Sequence, residues 1–135
     1  MSASKILVHL VWSTKNKVPF LDQEMRYKLF THIRQNAISK NIEIIEVNGY
    51  VDHVHCLINL QYNQKVEDVV KLIKGESSHW INKNNLLQDE FFQWQAKYFA
   101  ESIGVKEVDK IRGYIKNQEL HHQLNSINVM RELHL

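Results

Sequence analysis

Strand-like and helix-like stretches follow one another in the order strand, helix, strand, strand, helix, strand, helix along this 135-residue chain. That order predicts an α+β fold: a ferredoxin-like, four-stranded antiparallel sheet with two helices on one face. Two observations carry the prediction. Several short runs alternate apolar and polar residues with period two, and two long runs between them repeat apolar residues every three and four positions. The length suits one domain spanning 1–135, with a core over about 5–122 and a tail over 123–135.

In the first strand Ile6, Val8, Leu10 and Trp12 alternate with Leu7, His9, Val11 and Ser13, so one face is apolar and the other mixed. His9 falls on the mixed face, where a lone histidine is ordinarily packed or hydrogen-bonded and less often part of a site. Ser13 to Lys17 form a polar, basic loop closed by Val18 and Pro19, either a solvated connection or a phosphate contact. Asp22 is placed to cap a helix whose stripe is Met25, Leu29, Ile33 and Ala37, with Glu24 in the first turn and Asn41 as a stop. A short strand from Ile42 to Val47 leads into the turn residues Asn48 to Asp52, and so by a hairpin into the strand that begins at His53.

Val66, Val69, Val70, Ile73, Ser77, Trp80 and Ile81 mark a second helix through about residue 83. Lys71, Lys74 and Ser78 lie off its stripe, on a solvated face or bordering a nucleic-acid path. Phe92, Trp94, Ala96 and Tyr98 alternate with polar residues and read as the fourth strand. After Gly104 the last helix holds Val105, Val108, Ile111, Arg112, Tyr114, Ile115 and Gln118, and a polar tail from Leu120 to Leu135 carries His121, His122 and His134.

A net charge of +2 is too small to argue by itself for a nucleic-acid partner. The single cysteine, Cys56, forbids an intrachain disulfide and fits a reducing compartment. Ile6 to Trp12 is too short to span a membrane, and the N-terminus lacks a signal-peptide cleavage pattern, so the expectation is a soluble cytoplasmic protein with no membrane partner.

The chemistry concentrates in Asp52 to Leu60. His53 and His55 are two apart on a strand and share a face, while Val54, Cys56, Ile58 and Leu60 take the other. With two helices over the apolar face, the histidines are expected on the open side, beside the turn, where solvent and substrate reach them. The last helix is the natural cover for that side. Two imidazoles so placed make half of a divalent-metal site, or simply sit on a half-exposed sheet face. Tyr114 and Gln118, four residues apart, share a helix face. A tyrosine with a pKa of about 10 is a poor nucleophile until a base or metal assists, and otherwise anchors its helix as a semi-buried aromatic.

His53-Val54-His55, Tyr114-Ile115-Lys116-Asn117-Gln118 and the following His121-His122 resemble the single-tyrosine HUH transposases of small bacterial insertion sequences, the IS-two-hundred type. His9 to Lys15, Ser77 to Asn82 and Phe92 to Gln95 add to the resemblance, which spans roughly residues 6 to 122. It implies that His53, His55 and Gln118 ligate Mg²⁺ or Mn²⁺, and that Tyr114 attacks a phosphodiester of single-stranded DNA to leave a 5′-phosphotyrosine and a free 3′-hydroxyl. It further implies a homodimer that recognises hairpins near the element's ends, with a tyrosine helix able to complete the partner subunit's site. The chain departs from the family at Ala96 to Phe99, where glycines are common and where side chains obstruct close backbone approach.

Three other readings compete. Another HUH nuclease, such as a replication initiator or relaxase, shares the chemistry, but the chain has no room for a helicase or other extra domain. A catalytically silent ferredoxin-like module would bind RNA or single-stranded DNA on its open sheet face. A zinc protein would use His53, His55 and a further histidine such as His9 or His121. The aromatic and basic residues are scattered, and no DNA-reading residue stands out.

Overall fold

A computed structural model describes residues 4–119. Its elements are β1 (Leu7–Ser13), a 3-10 turn (Lys15–Lys17), α1 (Gln23–Ser39), β2 (Glu43–Tyr50), β3 (His53–Asn59), α2 (Val66–Lys83), β4 (Phe99–Ile103), a second 3-10 turn (Val105–Glu107) and α3 (Val108–Lys116). The strands form one antiparallel sheet in the order β2-β3-β1-β4. This is the α+β architecture expected, with α1 and α2 on one face and α3 on the other. The tail from Leu120, with His121, His122 and His134, lies outside the described residues.

Local chemistry accounts for the first helix. The Asp22 carboxylate accepts from the Met25 N–H at 2.8 Å, satisfying one of the free donors of the opening turn, and Asn41 adopts a left-handed φ of 58° just past the end. Its stripe of Met25, Leu29, Ile33 and Ala37 packs with Val69, Val70, Ile73 and Ile81 of α2 onto the face that carries Leu10, Trp12, Val54, Cys56 and Ile58. His32 of α1 joins the two helices at their outer rim: its Nε2 lies 2.8 Å from the Glu76 carboxylate and its ring stacks on Trp80 at 4.0 Å.

The fourth strand is not where alternation placed it. Phe92 and Trp94 are buried in the main core, but residues 91–98 contribute only an isolated bridge, Thr14 to Trp94, before β4 begins at Phe99. Side chains hold the backbone groups that a strand would have paired. Asn82 accepts from the Phe92 N–H and donates to its carbonyl. The Lys74 ammonium donates to the carbonyls of Gln95, Ala96 and Lys97, at 2.6 Å for the first. Lys74 is thus a strut, and its burial pulls its pKa down; Lys71 pairs with Glu67.

The turn before β3 is also tighter than the sequence suggests. Asn48, Gly49 and Tyr50 belong to β2 and pair with His55, Val54 and His53, leaving Val51 and Asp52 as the loop. Gly49 is where a glycine is required: a β-carbon there would collide with the His53 carbonyl.

Candidate active site

The alternation on β3 places side chains as expected. Val54, Cys56 and Ile58 enter the main core, and burial pushes the Cys56 thiol up to about 12. His53, His55 and Leu57 face α3. The two histidines are fully buried rather than open to solvent, because α3 lies across them. An apolar cluster and two residues of β2 seat the helix. Ile115 is enclosed with Leu7, Leu57 and Ile103 in a second, smaller apolar cluster. The Asn48 amide donates to the carbonyls of Ile115 and Lys116, both at 3.0 Å, capping the end of α3 from β2. Glu46, next to a bulge in β2, lies within 4 Å of Arg112 and Lys116 of α3 and pairs with Arg34 of α1 at 2.9 Å.

So held, α3 delivers Gln118 and Tyr114 to the histidines. Gln118, two residues beyond Lys116, is fully buried, with its Oε1 3.4 Å from His53 Nε2. Its Nε2 donates to the Tyr114 carbonyl at 3.2 Å, which fixes which end of the amide points at the histidine. The Tyr114 ring packs edge-on against His55, with centroids 5.7 Å apart. The rings of His53 and His55 are 5.1 Å apart. All four residues singled out from the sequence therefore meet within one chain.

Three further residues support them: Asp52 and Asn48, read from the sequence as turn formers, and His9, read as a packed histidine with a smaller chance of joining the site. Asp52 accepts from His53 Nδ1 at 2.9 Å, and the Asp52 carbonyl is in turn pinned by the Thr14 N–H at 2.8 Å. His9 of β1 places its Nε2 2.9 Å from His55 Nδ1, with the rings stacked; burial draws the His9 pKa down to about 4. Asn48 is the third. For Asp52 the signal available was its position next to a candidate metal-binding histidine, a frequent place for an orienting carboxylate. His9 and Asn48 are distant in sequence from what they touch; His9 was marked only by its place on the mixed face of β1, and nothing local marked Asn48.

The donor set suits a divalent cation. A carboxylate only accepts, so His53 Nδ1 carries a proton, and in the neutral ring Nε2 is a lone pair. Gln118 Oε1 is also a lone-pair atom. Two buried acceptors 3.4 Å apart need a cation or a proton between them. The set is mixed, two imidazoles and one amide oxygen. Among the described residues no group of three or more His, Cys, Asp or Glu is arranged to hold a metal. His9 does not make a third imidazole ligand, because its Nε2 is engaged with His55, and His121 lies outside the described residues. Beside Tyr114 opens a cavity of about 380 Å³ lined by His9, Glu101, Glu107 and Lys110 among others. The sheet face that a nucleic-acid-binding module would offer is covered at β2 and β3. No helix among the described residues is long and apolar enough to cross a membrane.

The sheet, with a histidine pair on an inner strand and a tyrosine-bearing helix laid over it, can be compared with known proteins. Residues 2–118 match the model of the IS200-like transposases, and the chain belongs to that family. It is 27% identical over 132 residues to the transposase for insertion sequence element IS200 of Salmonella typhimurium, an alignment taking in 87% of this chain and 85% of the relative. It is 33% identical over 114 residues to the ISDra2 transposase TnpA of Deinococcus radiodurans, covering 82% and 81%. The crystal structure of a candidate transposase from Deinococcus radiodurans R1 superposes with a TM-score of 0.70 at 25% identity, over 87% of this chain and 93% of that one. A REP-associated tyrosine transposase bound to a REP hairpin shares the fold, with a TM-score of 0.66 at 17% identity over 90% of this chain and 72% of the other.

Proposed function

We propose that this transposase cleaves and rejoins single-stranded DNA at the ends of an insertion sequence, in a metal-dependent reaction through a 5′-phosphotyrosine on Tyr114. The observation that carries the reading is the convergence of Gln118 Oε1 on His53 Nε2, with Tyr114 one helical turn back and packed against His55.

Tyr114 Oη attacks the scissile phosphorus, the bond to the 3′ oxygen breaks, and that oxygen leaves as a hydroxyl after gaining a proton. The 5′ phosphate stays on the tyrosine, so the energy of the broken bond is conserved and a second 3′-hydroxyl can reverse the step without ATP. His53, His55 and Gln118 are the residues that would hold Mg²⁺ or Mn²⁺. Such an ion supplies charge neutralisation at the phosphoryl oxygens and orients the scissile group. The helix α3 aims both the nucleophile and Gln118, so displacement of α3 disarms both together. The cavity beside Tyr114 gives the DNA strand a route to the phenol. By resemblance to the family, the substrate carries hairpins near the element's ends and the acting unit is a homodimer, in which α3 serves its own histidines, as it lies here, or those of the partner subunit.

The test is a denaturing gel of labelled, hairpin-bearing single strands from the DNA flanking the gene, with Mg²⁺ or EDTA. Wild type should form a protein-linked DNA band only with metal, and Tyr114→Phe should lose it by at least about 10³-fold while remaining folded. A band that persists in Tyr114→Phe, or that forms equally in EDTA, contradicts the proposal.

A further inference from the structure

We propose that His9 is a positioning residue for the metal centre: from the neighbouring strand it fixes the tautomer of His55, so that the nitrogen away from His9 stays a lone pair for the cation. The inference rests on the metal reading given above, and the experiment below separates the two.

His9 sits on β1, the strand paired with both β3 and β4, and is only 5% exposed. It is offset by two register positions from His55, since its direct partner is Leu57 and that of His55 is Val11. The diagonal brings the rings into a stack with centroids 5.1 Å apart and Nε2 of His9 2.9 Å from Nδ1 of His55. Between two neutral imidazoles one ring donates and the other accepts, which leaves two arrangements. If His9 donates, the proton of His55 is on Nε2 and that nitrogen cannot ligate. If His9 accepts, His55 carries its proton on Nδ1 and Nε2 is the lone pair.

The neighbouring histidine shows which arrangement the site is built for. His53 is held at the same nitrogen, Nδ1, by the Asp52 carboxylate, which can only accept. With His9 accepting, two acceptors from two different parts of the chain grip the two rings at the same atom, Nδ1, the arrangement by which metal-binding histidines are oriented elsewhere. Packing alone does not explain His9. Its strand neighbours on that face are Leu7 and Val11, both buried, and an aliphatic side chain would fill the position without the cost of burying a ring nitrogen. Glu101 lies directly opposite His9 on β4 and lines the same cavity.

The measurement is a long-range ¹H–¹⁵N spectrum of metal-free, ¹⁵N-labelled protein at pH 8, where an ordinary histidine with a pKa of about 6.5 is neutral. Mn²⁺ affinity is read separately by electron paramagnetic resonance. Wild type should show His55 protonated at Nδ1. His9→Leu should shift His55 towards the Nε2-protonated form and weaken Mn²⁺ binding about 10- to 100-fold. His9→Gln, whose amide oxygen can accept, should restore most of the affinity. A wild-type His55 protonated at Nε2 overturns the proposal, and this reading needs no variant to fold. Unchanged tautomer and affinity in a folded His9→Leu also overturn it. Wild-type protein that binds no Mn²⁺ but keeps His55 protonated at Nδ1 would sink the metal reading and leave the tautomer assignment standing.

Discussion

On strand β3, Val54, Cys56 and Ile58 look into the layer beneath α1 and α2, whereas His53, His55 and Leu57 look towards α3. Both sets are almost completely buried. The first layer is hydrocarbon from two long helices, the second a small apolar cluster around Ile115 beside a group of imidazoles and an amide. Burial in the first layer stabilises the fold by removing apolar area from water. Burial in the second fixes polar atoms in place and costs solvation that hydrogen bonds and, in our proposal, a metal ion offset. One strand with period-two alternation therefore builds a scaffold on one side and, in our proposal, a reaction centre on the other.

Trading side chains between the layers should separate these roles. Leu29→Ala empties a fully buried position of the scaffold and should cost about 2–5 kcal/mol in urea unfolding. Gln118→Met replaces a buried amide with an apolar side chain of similar size; stability should hold or rise by up to about 1 kcal/mol while cleavage is lost. Equal stability losses for the two variants would erase the distinction drawn here.

Alkaline pH probes the scaffold layer through Cys56. Its folded pKa is raised from 9.0 to about 12, so the folded state holds the thiol proton that the unfolded chain gives up. Its stabilising contribution is complete below pH 9 and falls by about 1.4 kcal/mol per pH unit between 9 and 12. Urea midpoints measured across that range should decline, and Cys56→Ala should lose this component of the slope.

The smallest effect concerns the seat of α3. Asn48→Ala leaves the last carbonyls of the helix without their β2 donor and should cost about 1–2 kcal/mol. Amide exchange should rise in α3 while α1 and α2 keep their protection. Uniformly faster exchange would mean that α3 and the scaffold open as one unit.

The first layer was largely legible in the sequence because its determinants are local. The Asp22 cap, the Met25 to Ala37 stripe and the Val54, Cys56, Ile58 alternation are each contained within one element. Legibility failed where a distant side chain overrides a local pattern. Phe92 and Trp94 alternate as a strand would, but Asn82 and Lys74, on α2, hold the backbone groups of the segment and move β4 to Phe99–Ile103. The site was legible in its principal residues, His53, His55, Tyr114 and Gln118, since each pair has the spacing that puts it on one face. Their burial and their supports were not: Asn48 and His9 act on residues 67 and 46 positions away. Asp52 looked like a turn former because it is one, and its carboxylate does a second job from the same position.

The central claim is that the second layer is a metal centre, and anomalous diffraction from crystals soaked in Mn²⁺ tests it most directly. The account predicts one strong anomalous peak bounded by His53, His55 and Gln118, lost in Gln118→Met. A peak elsewhere, or only water between His53 and Gln118 at saturating Mn²⁺, would contradict it.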